Sequence, residues 1–310
     1  MDDASPRNAQ PDFRALVTQH YPGCDPVAVI GHAGRFADAP DNEALWHNLV
    51  NGQACSHHFS RQQLLDAGLP ASTVDAPNFV GVGSVVADAD AFDADLFGYS
   101  RQEAESIDPQ QRLFLQIAWH ALEHAGYAPR QVPHKTGVFG SARVSTYPGK
   151  EPLRIAEVAQ VKRLQSLMGN DKDYVATRAA YKLNLHGPAI SVQTACSSSL
   201  VAVHMACESL RAGECDMAVA GGVAVSFPQH SGYLHQPGMI FSPMACAGRS
   251  TPRPRAPSAA TEPARWCYAA WPTRCATATR SWRSYSAVPS TTTAGARSAT
   301  PRPRSPARAR

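Results

Sequence analysis

The residues best placed to do chemistry lie around one thiol. The run Pro188-Ala-Ile-Ser-Val-Gln-Thr-Ala-Cys196-Ser-Ser-Ser-Leu-Val-Ala-Val-His-Met-Ala-Cys-Glu-Ser-Leu-Arg-Ala-Gly213 passes from a β-rich segment, Ala189 to Thr194, through a cysteine and three serines into a helical pattern. Apolar groups then recur at Leu200, Val203 and Leu210. A cysteine between a strand and a helix start sits on a sharp turn, with its sulfur near the free N–H groups of the helix. Those groups and the helix dipole favour the thiolate, the form that attacks carbonyl carbon. The serines suit a tight turn that also caps a helix. The plainer alternative is a buried structural cysteine ahead of a core helix.

Positioning such a turn requires a sheet and covering helices. Val27 to Gly31 reads as a buried strand followed by a glycine turn, of the kind found in sheets covered on both faces. Asn42 to Asn51 is helical in pattern. Asp108-Pro109 marks a helix start, with Asp as cap and Pro in the first turn. Leu113, Phe114, Ile117, Ala121, Leu122 and Ala125 recur at helical spacing, and Gly126 ends the run. Thr136 to Gly140 reads as a strand, Asp173 to Leu183 as a helix, and Met217 to Val225 as the strand after the cysteine's helix. Alternating strands and helices predict an α/β fold. Residues 1–24 form a polar lead-in or linker.

Residues 194–204, Thr-Ala-Cys-Ser-Ser-Ser-Leu-Val-Ala-Val-His, resemble the nucleophile segment of the β-ketoacyl synthases in the form found in modular polyketide synthases. Gln193 stands where Asp is commoner. Asp25-Pro-Val-Ala-Val-Ile-Gly-His-Ala-Gly-Arg-Phe36 resembles the family's opening strand and loop, and Ile107-Asp-Pro-Gln-Gln-Arg-Leu-Phe-Leu115 its D-P-Q-x-R-L motif. Gly137-Val-Phe-Gly140, Gly169-Asn-Asp171 and Gly221-Gly-Val223 follow in the family's order. The resemblance covers residues 25–243 and implies the first half of a thiolase-like fold, layered αβαβα in the complete domain.

The chemistry implied is acyl transfer to Cys196 from the phosphopantetheine of an acyl carrier protein, then decarboxylative Claisen condensation with a malonyl-type extender. The setting implied is polyketide or related fatty-acid biosynthesis. The backbone N–H of Cys196 is the natural first donor to the oxyanion. No cofactor is expected to bind directly; acyl and malonyl groups arrive on the carrier. The expected partners are the carrier protein, a second copy in a homodimer if the domain is complete, and other polyketide synthase domains. The family's two assisting histidines lie in H-G-T-G-T and N-x-G-H motifs. All twelve histidines precede residue 244 and none sits in either motif. No condensation is therefore expected from this chain alone. A thiolase or simple acyltransferase could use the same cysteine, but the serine run and the D-P-Q-x-R-L motif favour a ketosynthase. A chain-initiating decarboxylase would carry Gln where Cys196 stands. A non-catalytic carrier-docking or dimerising fragment is the alternative of a different class.

Charge divides the chain. The net charge is +4, but residues 244–310 hold twelve Arg, no Lys and one acid, Glu262, so the tail carries +11 and residues 1–243 carry −7. The tail lacks Leu, Ile, Phe, Asp, Asn, Gln, Lys and His, and Val288 is its only valine. Such a segment cannot build an apolar core and is expected to be disordered.

Reading the third base of each codon with the first two of the next gives a different text. Met244-Ala245 then gives glycine, and compatible choices continue as G-V-C-R-P-F-D-A. Trp266-Cys267 must give valine and Trp271-Pro272 alanine; Thr261 to Thr279 allows G-A-G-x-V-V-L-x-R-L-A-D-A-L-R-D-G-D. Ser290 to Ala294 allows N-N-D-G. These resemble the family's next segments, in order. One base lost just before codon 244 accounts for the tail, and its positive charge then reflects out-of-frame, GC-rich codons. The competing account is a basic tail that binds nucleic acid.

No 18-residue apolar run predicts a membrane span, and the N-terminus has no apolar core of a secretory signal. Eight cysteines without C-x-x-C suggest reduced thiols in a cytoplasmic protein. Cys207 and Cys215 have no His at zinc spacing, and His57-His58 reads as a solvated loop, so no metal site is expected.

Overall fold

The computed structural model describes residues 26–147, 160–238, 241 and 274–281, the residues 160–163 and 274–281 by backbone alone. Its centre is a five-stranded sheet. In chain order the strands are β1 (Val27–Ala33), β5 (Thr136–Ala142), β6 (Ala189–Ser191), β7 (Met217–Val223) and β9 (Arg274–Ser281), and their order in space is β1-β9-β7-β5-β6. β5 runs parallel to both β6 and β7, whereas β9 is antiparallel to β1 and to β7. Two small antiparallel pairs stand apart: β2 (His57–His58) with β4 (Val82–Gly83), and β3 (Phe79–Val80) with β8 (Tyr233–Leu234).

The helices are α1 (Asn42–Val50), α2 (Arg61–Asp66), α3 (Ala71–Val74), α4 (Arg101–Ser106), α5 (Pro109–His124), α6 (Gln160–Asn170), α7 (Val175–Lys182) and α8 (Ser198–Arg211). Alternation along the strands assigns the two faces of the sheet. Val138, Ala142, Met217, Val219 and Val223 pack with α5 and α7 around Leu113, Phe114, Leu122, Val175 and Ala179. Phe139, Ala218 and Ala220 turn the other way and pack with Ala202, Ala206 and Leu210 of α8. The sheet is thus covered on both faces, as its parallel centre requires.

α5 begins and ends as its sequence dictates. The Asp108 carboxylate accepts from the Gln110 N–H, Pro109 occupies the first turn, and Gly126 follows at φ +82°. Gly31 of β1 lies hard against this helix: an added Cβ would stand 2.5 Å from the Ala121 carbonyl oxygen.

Three expectations change. β1 is only partly buried, with Val29 62% exposed, because it is an edge strand rather than a central one. α8 buries Ser198, Ala202, Ala206, Ser209 and Leu210, while Leu200 is 64% exposed. The small side chains let the helix lie close on the alanines of β7, and of the expected apolar positions Leu210 joins them on the inner face whereas Leu200 does not. The tail, expected to lack structure, supplies β9. Its Ala276-Thr-Ala-Thr279 alternation contains β-branched residues and no proline, and it gives hydrogen-bonding partners to both β1 and β7. The rest of 244–310, and the lead-in 1–24, lie outside the described residues.

Candidate active site

The turn around Cys196 is built by its serines and by backbone strain. After β6 the Val192 N–H donates to the Gly140 carbonyl at 2.8 Å, which ties the approach to β5. Ala195 then takes φ +54°, a left-handed conformation that costs a residue with a Cβ about 1–2 kcal/mol. A 3₁₀ turn over Ala195–Ser197 leads into α8. Ser198 staples this turn: its hydroxyl donates to the Ala195 carbonyl and accepts from the Thr194 N–H, both at 2.8 Å. The Ser197 hydroxyl donates to the Thr194 carbonyl at 2.8 Å.

These bonds run backward into the turn, which corrects the expected cap. Ser197 occupies the cap position of α8 without a side-chain hydrogen bond to the helix. The positive end of the helix is therefore left uncovered by its serines, and Cys196 is exposed beside it. Among the described residues the Cys196 N–H donates to no carbonyl. The alternative of a buried structural cysteine does not hold at this position. It does fit the buried Cys215; burial pushes the thiols of Cys215 and of the half-buried Cys207 up from their ordinary value.

β7 supports the turn from below. A Cβ added at Gly222 would meet the Ser141 hydroxyl at 2.3 Å and the Ser199 Cβ at 3.2 Å, so only glycine lets β5, β7 and the first turn of α8 converge here. These are the carboxyl ends of parallel strands, where open α/β sheets carry their sites.

The D-P-Q-x-R-L segment is buried and polar, which periodicity alone did not reveal. Gln110 donates through Nε2 to the Arg143 carbonyl at 3.2 Å and to the Asp108 carboxylate at 3.1 Å, and accepts through Oε1 from the Val225 N–H at 3.2 Å. Gln111 donates to the Asp171 carbonyl at 2.9 Å and accepts from Arg178 Nε at 2.6 Å. Arg112 donates to the Asp90 carbonyl at 3.1 Å, and burial pushes its guanidinium down from its ordinary value. The usable sequence signal was position: Gln110 lies three and four residues before Leu113 and Phe114, on the same helix face.

Several histidines are engaged away from Cys196. His57 bonds Asp38 at 2.8 Å, and His57-His58 forms the exposed strand β2 rather than a loop. His32 packs on His124 and bonds Asn42, and His120 pairs with Glu123. His204 is exposed on α8, eight residues beyond Cys196, about 12 Å at the helical rise. Among the described residues there is no cluster of three His, Cys, Asp or Glu that could hold a metal ion, and no helix is long and apolar enough to cross a membrane.

Comparison with known proteins accords with this geometry. The family described as Beta-ketoacyl synthase, N-terminal domain, matches residues 24–253. A phenolphthiocerol/phthiocerol polyketide synthase chain of Mycobacterium tuberculosis is 44% identical over 223 residues, covering 70% of this chain and 15% of the relative. Polyketide synthase ThaG of Burkholderia thailandensis is 39% identical over 208 residues, covering 65% of this chain and 4% of the relative. The chain thus spans a small part of the curated relatives' length. Among solved structures, ketosynthase twelve from the bacillaene polyketide synthase of Bacillus amyloliquefaciens superposes with a TM-score of 0.69 at 28% identity, covering 84% of this chain and 44% of that one. The oxazolomycin ketosynthase domain of Streptomyces albus gives 0.60 at 27% identity, covering 85% and 43%. The fold is accordingly the thiolase-like fold of ketosynthase domains, of which this chain carries the first part, and the chain belongs to the β-ketoacyl synthase family.

Proposed function

We propose that Cys196 is the acyl acceptor of a polyketide ketosynthase and that residues 25–243 are the N-terminal half of that domain. The observation that carries this reading is the strained turn: an exposed thiol between β6 and an uncovered helix start, with Ala195 at φ +54° and, among the described residues, no carbonyl accepting from the Cys196 N–H. The thiolate attacks the carbonyl carbon of an acyl thioester on the carrier's phosphopantetheine. A carbon–sulfur bond forms, negative charge collects on the oxygen, and the Cys196 N–H donates to it. The carrier thiolate then leaves and takes up a proton. In the second half-reaction a malonyl-type extender loses carbon dioxide, and its enolate carbon displaces the Cys196 thiolate.

The second half-reaction needs groups that the family draws from two histidine motifs, and neither motif occurs within these 310 residues. The chain as sequenced therefore accepts an acyl group without condensing it. The reading also assigns an acyl carrier protein and other synthase domains as partners, a homodimer as the complete assembly, a cytoplasmic location, and an out-of-frame origin for the basic tail rather than a nucleic-acid role. A non-catalytic, associating fragment is the second reading. It is favoured by the exposed Trp46, Leu49 and Val50 on one stripe of α1.

The test pairs two assays on the full chain. Consumption of a butyryl thioester of N-acetylcysteamine, lost in Cys196→Ala, supports the first half-reaction. A β-ketoacyl product formed with malonyl carrier protein would refute the second statement. A chain that self-associates or binds carrier but is never acylated would favour the second reading.

A further inference from the structure

Gln110 is 1% exposed, and both its amide nitrogen and its amide oxygen are hydrogen-bonded. It donates to the Arg143 carbonyl and to Asp108, and accepts from the Val225 N–H. Arg143 is the first residue beyond β5, and Val225 the second beyond β7. One side chain on α5 therefore bridges the carboxyl ends of two neighbouring parallel strands. The Arg143 N–H continues the same ladder by donating to the Val223 carbonyl at 3.1 Å.

These two strand ends are the platform under the cysteine turn. Gly140 of β5 receives the Val192 N–H, and Gly222 of β7 abuts Ser141 and the first turn of α8 at Ser199. A shift of β7 against β5 moves α8 and the turn with it. The bridge needs a donor and an acceptor on one planar group, which an amide supplies and an ionised carboxylate does not.

We propose that Gln110 is a positioning residue for Cys196: by fixing the spacing of the β5 and β7 ends it aims the Cys196 N–H at the oxygen of the entering acyl group. The inference rests on the reading of Cys196 as acyl acceptor. It makes two reactions of one thiol behave differently. Acylation passes through an oxyanion and depends on the direction of that N–H. Alkylation by iodoacetamide develops no oxyanion and depends on the thiolate alone.

The experiment compares wild type, Gln110→Met and Gln110→Glu in the full chain, with folding followed by circular dichroism. Both reactions are measured at Cys196 by intact-mass spectrometry, with butyryl N-acetylcysteamine thioester and with iodoacetamide. Gln110→Met is expected to slow acylation roughly 10- to 100-fold, the scale of a misplacement near 1 Å, and to leave alkylation within about threefold. Gln110→Glu keeps the acceptor for Val225 and donates to Arg143 only when protonated. Its acylation rate relative to wild type is therefore expected to fall as pH rises. Parallel loss of both reactions in folded protein, or no change in either, overturns the proposal.

Amide hydrogen exchange on the wild type decides the matter if the variants do not fold. Val225 is expected to be as protected as β7, because its N–H donates to Gln110, and exchange of Val225 at the rate of an open loop overturns the bridge. If the wild type is never acylated, the acyl-acceptor reading fails, and the same exchange measurement still judges the Gln110 contact.

Discussion

Ala195 carries the strain that presents the thiol. Its φ of +54° would be relaxed by glycine and opposed by a β-branched side chain. Ala195→Val is expected to lower stability by about 1–2 kcal/mol and to slow acylation of Cys196, whereas Ala195→Gly keeps the fold; urea unfolding of the three proteins checks this. An equal midpoint for all three would show that the turn is unstrained. The thiols should also separate by reactivity. Burial holds the Cys207 and Cys215 thiols protonated to higher pH than usual. Near neutral pH iodoacetamide is expected to label Cys196 well before either, and their labelling should rise only as pH climbs toward their raised values. Peptide mapping across pH reads this directly, and early labelling of Cys215 would contradict it. The place of Cys196 in a turn between strand and helix was legible in the sequence, because a small-residue run joins a β-rich segment to a helical one. The serines' true bonds were not, because a serine beside a helix start can cap forward or staple backward with the same composition.

At the scale of elements, the helix starts were legible where the chemistry is local: Asp108-Pro109 opens α5 and Gly126 closes it. Long-range packing was not. The inner face of α8 is made largely by alanines and serines, which carry little apolar signal, with Leu210 beside them and Leu200 left outside. Gln110 and Gln111 are buried because their partners come from the ends of β5 and β7 and from the turn at Asp171, and no local pattern announces that. β9 was hidden by the composition of the tail, since the need it fills belongs to β1 and β7. Thr277 of β9 pairs with His32 on one side and Ala220 on the other. Thr277→Pro removes a ladder N–H and is expected to cost about 1–3 kcal/mol, with faster amide exchange in β1. Unchanged urea unfolding and unchanged exchange would show that β9 contributes nothing to the sheet.

For the molecule as a whole, the division of charge follows the division of text. Residues 1–243 carry −7 and include, at 25–243, the proposed half of a ketosynthase; residues 244–310 carry +11 and are proposed to be that domain's continuation one base out of register. Resequencing the DNA across codons 240–250 is expected to reveal one further base that restores D-G-x-C-R-P-F-D; an unchanged sequence would mean a true basic tail. The chain as it stands covers 44% of a solved ketosynthase, and apolar side chains such as Trp46, Leu49 and Leu200 are exposed. Under the proposed function, acyl acceptance draws on the turn and its supporting strands, which the chain contains. The most direct measurement is therefore peptide mapping by mass spectrometry after incubation with the butyryl thioester. The account predicts one butyryl group on the peptide holding Cys196 and none in Cys196→Ala. A wild-type chain that stays unmodified, or carries the acyl group on another cysteine, would contradict it.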